Sequence, residues 1–144
     1  MKNLDVMYSS KSDEWSTPQE LFDELNNEFH FDLDAAASSE NHKCSRYFDK
    51  TTDGITQKWG GCRVFCNPPY SQIDKWVAKA FYETRNDNTL VVMLIPSRTD
   101  TRYFHNYIYG RTEIRFVKGR LKFGDSKNSA PFPSMIVIFR GPKA

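Results

Sequence analysis

Arg63-Val64-Phe65-Cys66-Asn67-Pro68-Pro69-Tyr70 is the stretch on which the reading of this chain turns. Its first half is a short apolar strand, and its second half must end that strand, because two consecutive prolines donate nothing to a sheet ladder. Beyond it, Ile73, Trp76, Val77, Ala80 and Phe81 recur at helical spacing. Before it, Phe31 and Leu33 alternate with His30, Asp32 and Asp34, which predicts a short strand ending on Asp34. Further back, Thr17-Pro18-Gln19-Glu20 reads as a capping box with Thr17 at the N-cap, ahead of a helix carrying Leu21, Phe22, Leu25 and Phe29 on one face. Residues 40–62 are polar and irregular, with a turn at Asp53-Gly54.

Downstream, the unbroken apolar run 89–95 predicts a central parallel strand covered on both faces. A helix through Tyr103, Phe104, Tyr107 and Ile108, a strand at 112–117, a turn at Lys118-Gly119 and a last strand at 135–139 complete the series. Strands alternating with helices predict an α/β fold, with a mostly parallel sheet and helices on both faces. Ligands of such sheets bind at the carboxyl ends of the strands, where Asp34 and Asn67 are expected.

The 144 residues, 39% of them hydrophobic and 26% charged, suit one domain. A mean hydropathy of −0.65 and the absence of a long apolar run exclude a membrane-spanning segment, and nothing at the amino terminus resembles a secretion signal. A cytoplasmic protein is expected, its three cysteines free thiols. His42, Cys44, Cys62 and Cys66 could ligate zinc by type, but their spacing matches no usual finger, so no metal is expected.

The net charge of +2 conceals an asymmetry. Residues 1–96 carry 10 Lys and Arg against 15 Asp and Glu, giving −5, whereas residues 97–144 carry 10 against 3, giving +7. A basic half suits a polyanion, with Arg98, Arg102, Lys118, Arg120, Lys122 and Lys127 as candidate phosphate contacts; the plain alternative is a solvated basic face.

Asn67-Pro68-Pro69-Tyr70 fits one reaction, methylation of an exocyclic amine. The lone pair of an adenine amino group is delocalised into the ring, so the nitrogen must be drawn toward tetrahedral geometry by two acceptors. Asn67 Oδ1 and the Pro68 carbonyl can supply them, while the prolines stiffen the loop and Tyr70 offers a face on which an extruded base can stack. Direct attack of the amine on a sulfonium methyl needs no covalent enzyme intermediate, and hence no cysteine nucleophile.

The motif resembles the (D/N/S)PP(Y/F) loop of amino-methyltransferases that use S-adenosylmethionine. More closely, the chain resembles the short phage-type DNA N6-adenine methyltransferases, through Trp15-Ser16-Thr17-Pro18, the stretch Phe31 to Ala37, Asp53-Gly54-Ile55, Trp59, Asn67 to Tyr70, Gly119 to Phe123 and Pro131 to Ser134. The resemblance implies a Rossmann-like catalytic domain over residues 1–144 without a separate target-recognition domain, encoded by a phage or prophage. It implies a cofactor site at Trp15, Thr17, Pro18, Asp34, Ala35, Ala36 and Asp53, with Asp49 a competitor for the ribose-holding acid. It also implies catalysis at Asn67, Pro68, Pro69 and Tyr70, and contacts to double-stranded DNA from Arg98, Lys118, Arg120, Lys122 and Phe123. Phe123 is expected as the second wall of a base pocket opposite Tyr70.

The family's first loop is usually glycine-rich, whereas this chain has Ala35-Ala36-Ala37, which approach a ligand closely but do not adopt left-handed backbone cheaply. Related loops also methylate RNA base amines or protein glutamine, and an inactive DNA-binding relative would keep the fold; the basic half favours nucleic acid. Target specificity and assembly, with a homodimer one option, stay open at this level.

Overall fold

The computed structural model describes residues 15–86, 88–123 and 129–144. Helix α1 (Gln19–Phe29) buries Phe22, Leu25 and Phe29, the stripe its periodicity predicts. It starts differently from expectation. Pro18 is the N-cap, its carbonyl accepting the Phe22 N–H at 3.1 Å, and no side chain caps the helix. Thr17 is no capping residue because its hydroxyl is engaged by Asn67, described below. The helix stops at His30, which takes a left-handed φ of 54° and donates to the Asn26 carbonyl.

Strand β1 (Leu33–Asp34) ends on Asp34, as its alternation predicts, and β2 (Arg63–Cys66) ends where the prolines begin. Helix α2 (Ile73–Glu83) follows, burying Ile73, Trp76, Val77 and Ala80. Strand β3 (Leu90–Pro96) is buried along its whole length. Strands β4 (Glu113–Phe116) and β5 (Ser134–Arg140) complete a five-stranded sheet of order β1-β2-β3-β5-β4, with the apolar run at its centre.

The sheet is mixed, which corrects the mostly parallel expectation. β1–β2 and β2–β3 are parallel; β3–β5 and β5–β4 are antiparallel. The reason lies in the connections. A parallel pair needs a crossover, usually a helix, and none occurs among the described residues between β4 and β5. The expected helix through Tyr103 to Ile108 is one π-helical turn, Phe104–Ile108, that buries Phe104 and Ile108.

Alternate residues of the same strands enter two apolar clusters. One joins Val64, Cys66, Val91, Met93 and Ile95 to Ile73, Trp76, Val77 and Ala80 of α2. The other joins Phe65, Val92, Leu94 and Ile138 to Phe22, Leu25 and Phe29 of α1, and also holds Phe123 and Phe132. Among the described residues no helix is long and apolar enough to cross a membrane.

Because Leu94 is fully buried, Leu94→Ala removes apolar contacts that the surrounding strands cannot restore. Urea unfolding of this variant is expected to show a loss of about 2–5 kcal/mol, the usual range for a leucine truncated in a core.

Candidate active site at the carboxyl edge of the sheet

The two parallel ladders bring the ends of β1 and β2 side by side, with Asp34 paired to Phe65 in register. A cavity of about 600 Å³ opens there, within the range of small-molecule sites. Trp15, Thr17, Asp34, Ala35, Ala36, Asp53, Asn67 and Pro69 all line it, so residues scattered over the amino-terminal half converge. Pro18 is not among its lining residues, and Pro68 is buried in the loop. Tyr70 and Arg98 instead line an adjoining hollow of about 320 Å³ beyond β3.

The alanine loop solves its geometry without left-handed backbone. The Ala35 N–H donates to the Phe65 carbonyl and the Ala37 N–H to the Phe48 carbonyl, so the segment bends away after β1 with its backbone held on both sides. The positive φ falls on Asp53, at 54°, held by its N–H on the Asp49 carbonyl and its carboxylate on the Ile55 N–H. Strain at a polar residue facing a cavity is a mark of functional sites. Asp49 also lines the cavity, its carboxyl held below the ordinary range by the Thr52 N–H.

Asp34 is only 4% exposed. Burial raises its carboxyl pKa, opposed by hydrogen bonds from the Lys43 and Ala36 N–H groups. The folded chain therefore holds that proton more tightly than the unfolded one, and the group's contribution to stability falls as pH rises through the raised value. Four carboxylates (Asp34, Glu40, Asp49 and Asp53) line the cavity against two ammonium groups, Lys43 and Lys50. This balance suits a ligand of positive charge.

Asn67 has an unusual set of partners. Its Nδ2 donates to the Trp15 carbonyl and, at 3.0 Å, to Thr17 Oγ1. A carbonyl can only accept, so this contact decides which end of the amide is nitrogen. Oδ1 is then left buried with no partner. Around it, Trp15 stacks on Tyr70 with ring centroids 6.3 Å apart and planes within 18°. Phe132 and Phe123 meet Tyr70 edge-on at 5.2 and 6.4 Å. Phe123 is thus perpendicular to Tyr70, where the sequence suggested an opposing wall; the parallel ring is Trp15.

The cations Arg98, Arg102, Lys118, Arg120 and Lys122 are all exposed, and Lys127 lies outside the described residues. β4 runs in the same direction as β3, both being antiparallel to β5, so the segment after Phe116 emerges at the same edge as Pro96. The bonds Ser97 N–H to Pro133 carbonyl and Val117 N–H to Ser134 carbonyl fix that alignment. The candidate zinc ligands are engaged apart: His42 stacks on Tyr47, Cys62 Sγ accepts from Arg46, and Cys66 is buried within β2.

Two cavity residues carry signals the sequence reading assigned elsewhere. Trp76, one of the residues at helical spacing, sits on the buried face of α2, yet its Nε1–H is buried without a partner and the residue lines the cavity. Gly54 was read as a turn residue. A Cβ there would lie 2.2 Å from the Ala35 carbonyl and 2.9 Å from Trp76, so the glycine is needed for close approach of two loops. Only the tertiary pairing reveals either fact.

These features define an α/β chain with an acid-lined cavity at the carboxyl edge of its sheet, an unpaired amide oxygen at the rim and a basic flank beside it. The chain belongs to the DNA N-6-adenine-methyltransferase (Dam) family, whose sequence model matches residues 6–144. It is 35% identical over 111 residues to a DNA N-6-adenine-methyltransferase of Escherichia phage T1, covering 76% of this chain and 46% of that protein. It is 30% identical over 143 residues to one of Haemophilus phage HP1, covering 94% and 82% respectively. The chain thus spans about half the length of the first relative and most of the second.

Gly54→Ala is expected to push the Ala35 loop outward. Urea unfolding should then show a loss of about 1–3 kcal/mol in stability from overpacking.

Proposed function

We propose that the chain is an S-adenosylmethionine-dependent DNA adenine N6-methyltransferase that acts on a base extruded from double-stranded DNA. The observation that carries this reading is the Asn67 amide, whose nitrogen is tied down while its oxygen is withheld from water and left unpaired. An unpaired buried acceptor costs the fold about 1–3 kcal/mol, a cost offset when a donor arrives. The exocyclic amine of adenine is such a donor.

Bound in the larger cavity, S-adenosylmethionine would supply an electrophilic methyl group. Asp34, Ala35, Ala36, Asp49, Asp53 and Trp76 would hold it, the carboxylates matching its positive charge. Asn67 Oδ1, with the Pro68 carbonyl as second acceptor, would accept hydrogen bonds from the two amine N–H groups, localise the nitrogen lone pair and stabilise the positive charge that grows on nitrogen during transfer; the methylated amine then releases one proton to water. Trp15 lines the larger cavity and Tyr70 the neighbouring hollow, and their rings, backed edge-on by the buried Phe123 and Phe132, would replace the stacking the base loses on leaving the duplex. No strong base is required, because the amine becomes acidic only as it is methylated.

The same reading takes the sheet as a Rossmann-like core with helices on both faces, supported by the two apolar clusters. It takes residues 1–144 as one catalytic domain that reads DNA through short edge loops. Arg98, Lys118, Arg120 and Lys122 would contact phosphates, and their place at the same sheet edge as Asn67 favours nucleic acid over a protein glutamine as acceptor.

Incubation with methyl-labelled S-adenosylmethionine and duplex DNA, followed by nucleoside analysis, is expected to place label in N6-methyladenine. Asn67→Ala should lower kcat by about 10²–10³, as loss of one preorganised polar contact does elsewhere. Label confined to RNA or protein would reject the DNA assignment.

A further inference from the structure

Thr17 lines the larger cavity, but its hydroxyl oxygen serves another residue. Asn67 Nδ2 donates to Thr17 Oγ1 at 3.0 Å across 50 positions of sequence. Thr17 is 5% exposed, so water competes poorly for that oxygen. A threonine just before a helix ordinarily turns its oxygen onto the first free N–H groups of that helix. Here α1 has no side-chain cap, and the oxygen is aimed at the catalytic loop instead.

The consequence falls on the far end of the amide. Asn67 has two N–H bonds to place, and the Trp15 carbonyl and Thr17 Oγ1 take both. Rotating the amide by half a turn would set Oδ1 against the Trp15 carbonyl, which can only accept, and forfeit that bond; the Thr17 hydroxyl can serve either orientation, so the carbonyl selects the orientation and the hydroxyl fixes the plane. One acceptor alone would let the group swing about a single hydrogen bond; two define its plane.

We propose that Thr17 is a positioning residue that fixes the Asn67 amide so that Oδ1 stays free for the target amine, a role that rests on the methyl-transfer reading above. It acts through Asn67 and touches neither reacting atom in this role. A residue expected to cup the cofactor thereby controls the acceptor side of the site.

Thr17→Val removes the acceptor at nearly constant shape, and Thr17→Ser restores it. Two readouts are needed: steady-state kinetics with duplex DNA, and hydrogen exchange of the Asn67 side-chain amide followed by ¹⁵N NMR in the ligand-free protein. Thr17→Val is expected to lower kcat about tenfold with KM for S-adenosylmethionine within about twofold, the pattern of an interaction made in the transition state. The Asn67 amide should exchange about tenfold faster, as one of its two protecting bonds is lost. Thr17→Ser should return both values toward the parent. A raised KM with kcat intact would make Thr17 a cavity wall and overturn the proposal, as would unchanged exchange. If the parent protein transfers no methyl group to DNA, the functional reading fails by itself, and the exchange rates still decide whether Thr17 restrains Asn67.

Discussion

The contact between the Asn67 amide and the segment ahead of α1 is the constraint on which the site depends. It joins the two parts of the chain that a ligand cavity must bring together: the strip Trp15 to Thr17, and the loop that follows β2. Neither part could hold the arrangement alone. The prolines limit how the loop can bend, but they do not set the rotation of the Asn67 side chain; the Trp15 carbonyl and Thr17 hydroxyl do. The three residues these bonds join, Trp15, Thr17 and Asn67, all line the larger cavity, so its wall and the orientation of the amide have a shared origin.

Charge follows the same division. Every residue lining the larger cavity comes from positions 15–76, within the acidic stretch of the chain. The candidate phosphate contacts Arg98, Arg102, Lys118, Arg120 and Lys122 are exposed and follow β3 and β4, which end at the same sheet edge because β4 is aligned with β3. A sulfonium compound and a phosphate backbone ask for opposite surroundings. Placing β5 between β3 and β4 brings an acid-lined cavity and a set of exposed cations to one sheet edge, which is what the proposed methyl-transfer reading asks of it.

Much of the fold was legible because local chemistry dictated it. The arrest of β2 at Asn67, the end of β1 on Asp34 and the buried run of β3 follow from proline, alternation and continuous apolarity, which need no partner to be recognised. The antiparallel β5 was not legible, since apolar strands read alike in either direction and only the connection decides. Thr17 misled for a related reason: Ser, Thr, Asp and Asn before a helix imply a cap, and the pull of Asn67 on its oxygen is a tertiary event. Likewise the need for glycine at position 54 and the open N–H of Trp76 exist only once α2 packs against the loop after β1. The candidate site was therefore visible as a set of residues and invisible as an orientation.

A structure of the protein with a demethylated cofactor product and duplex DNA bearing an extruded adenine tests the orientation directly. The account predicts the adenine N6 at about 2.7–3.2 Å from Asn67 Oδ1, the ordinary range for such a bond, with Nδ2 still on the Trp15 carbonyl and Thr17 Oγ1. An Asn67 amide turned the other way, or an adenine lodged where neither Asn67 Oδ1 nor the Pro68 carbonyl can reach its amine, would contradict it.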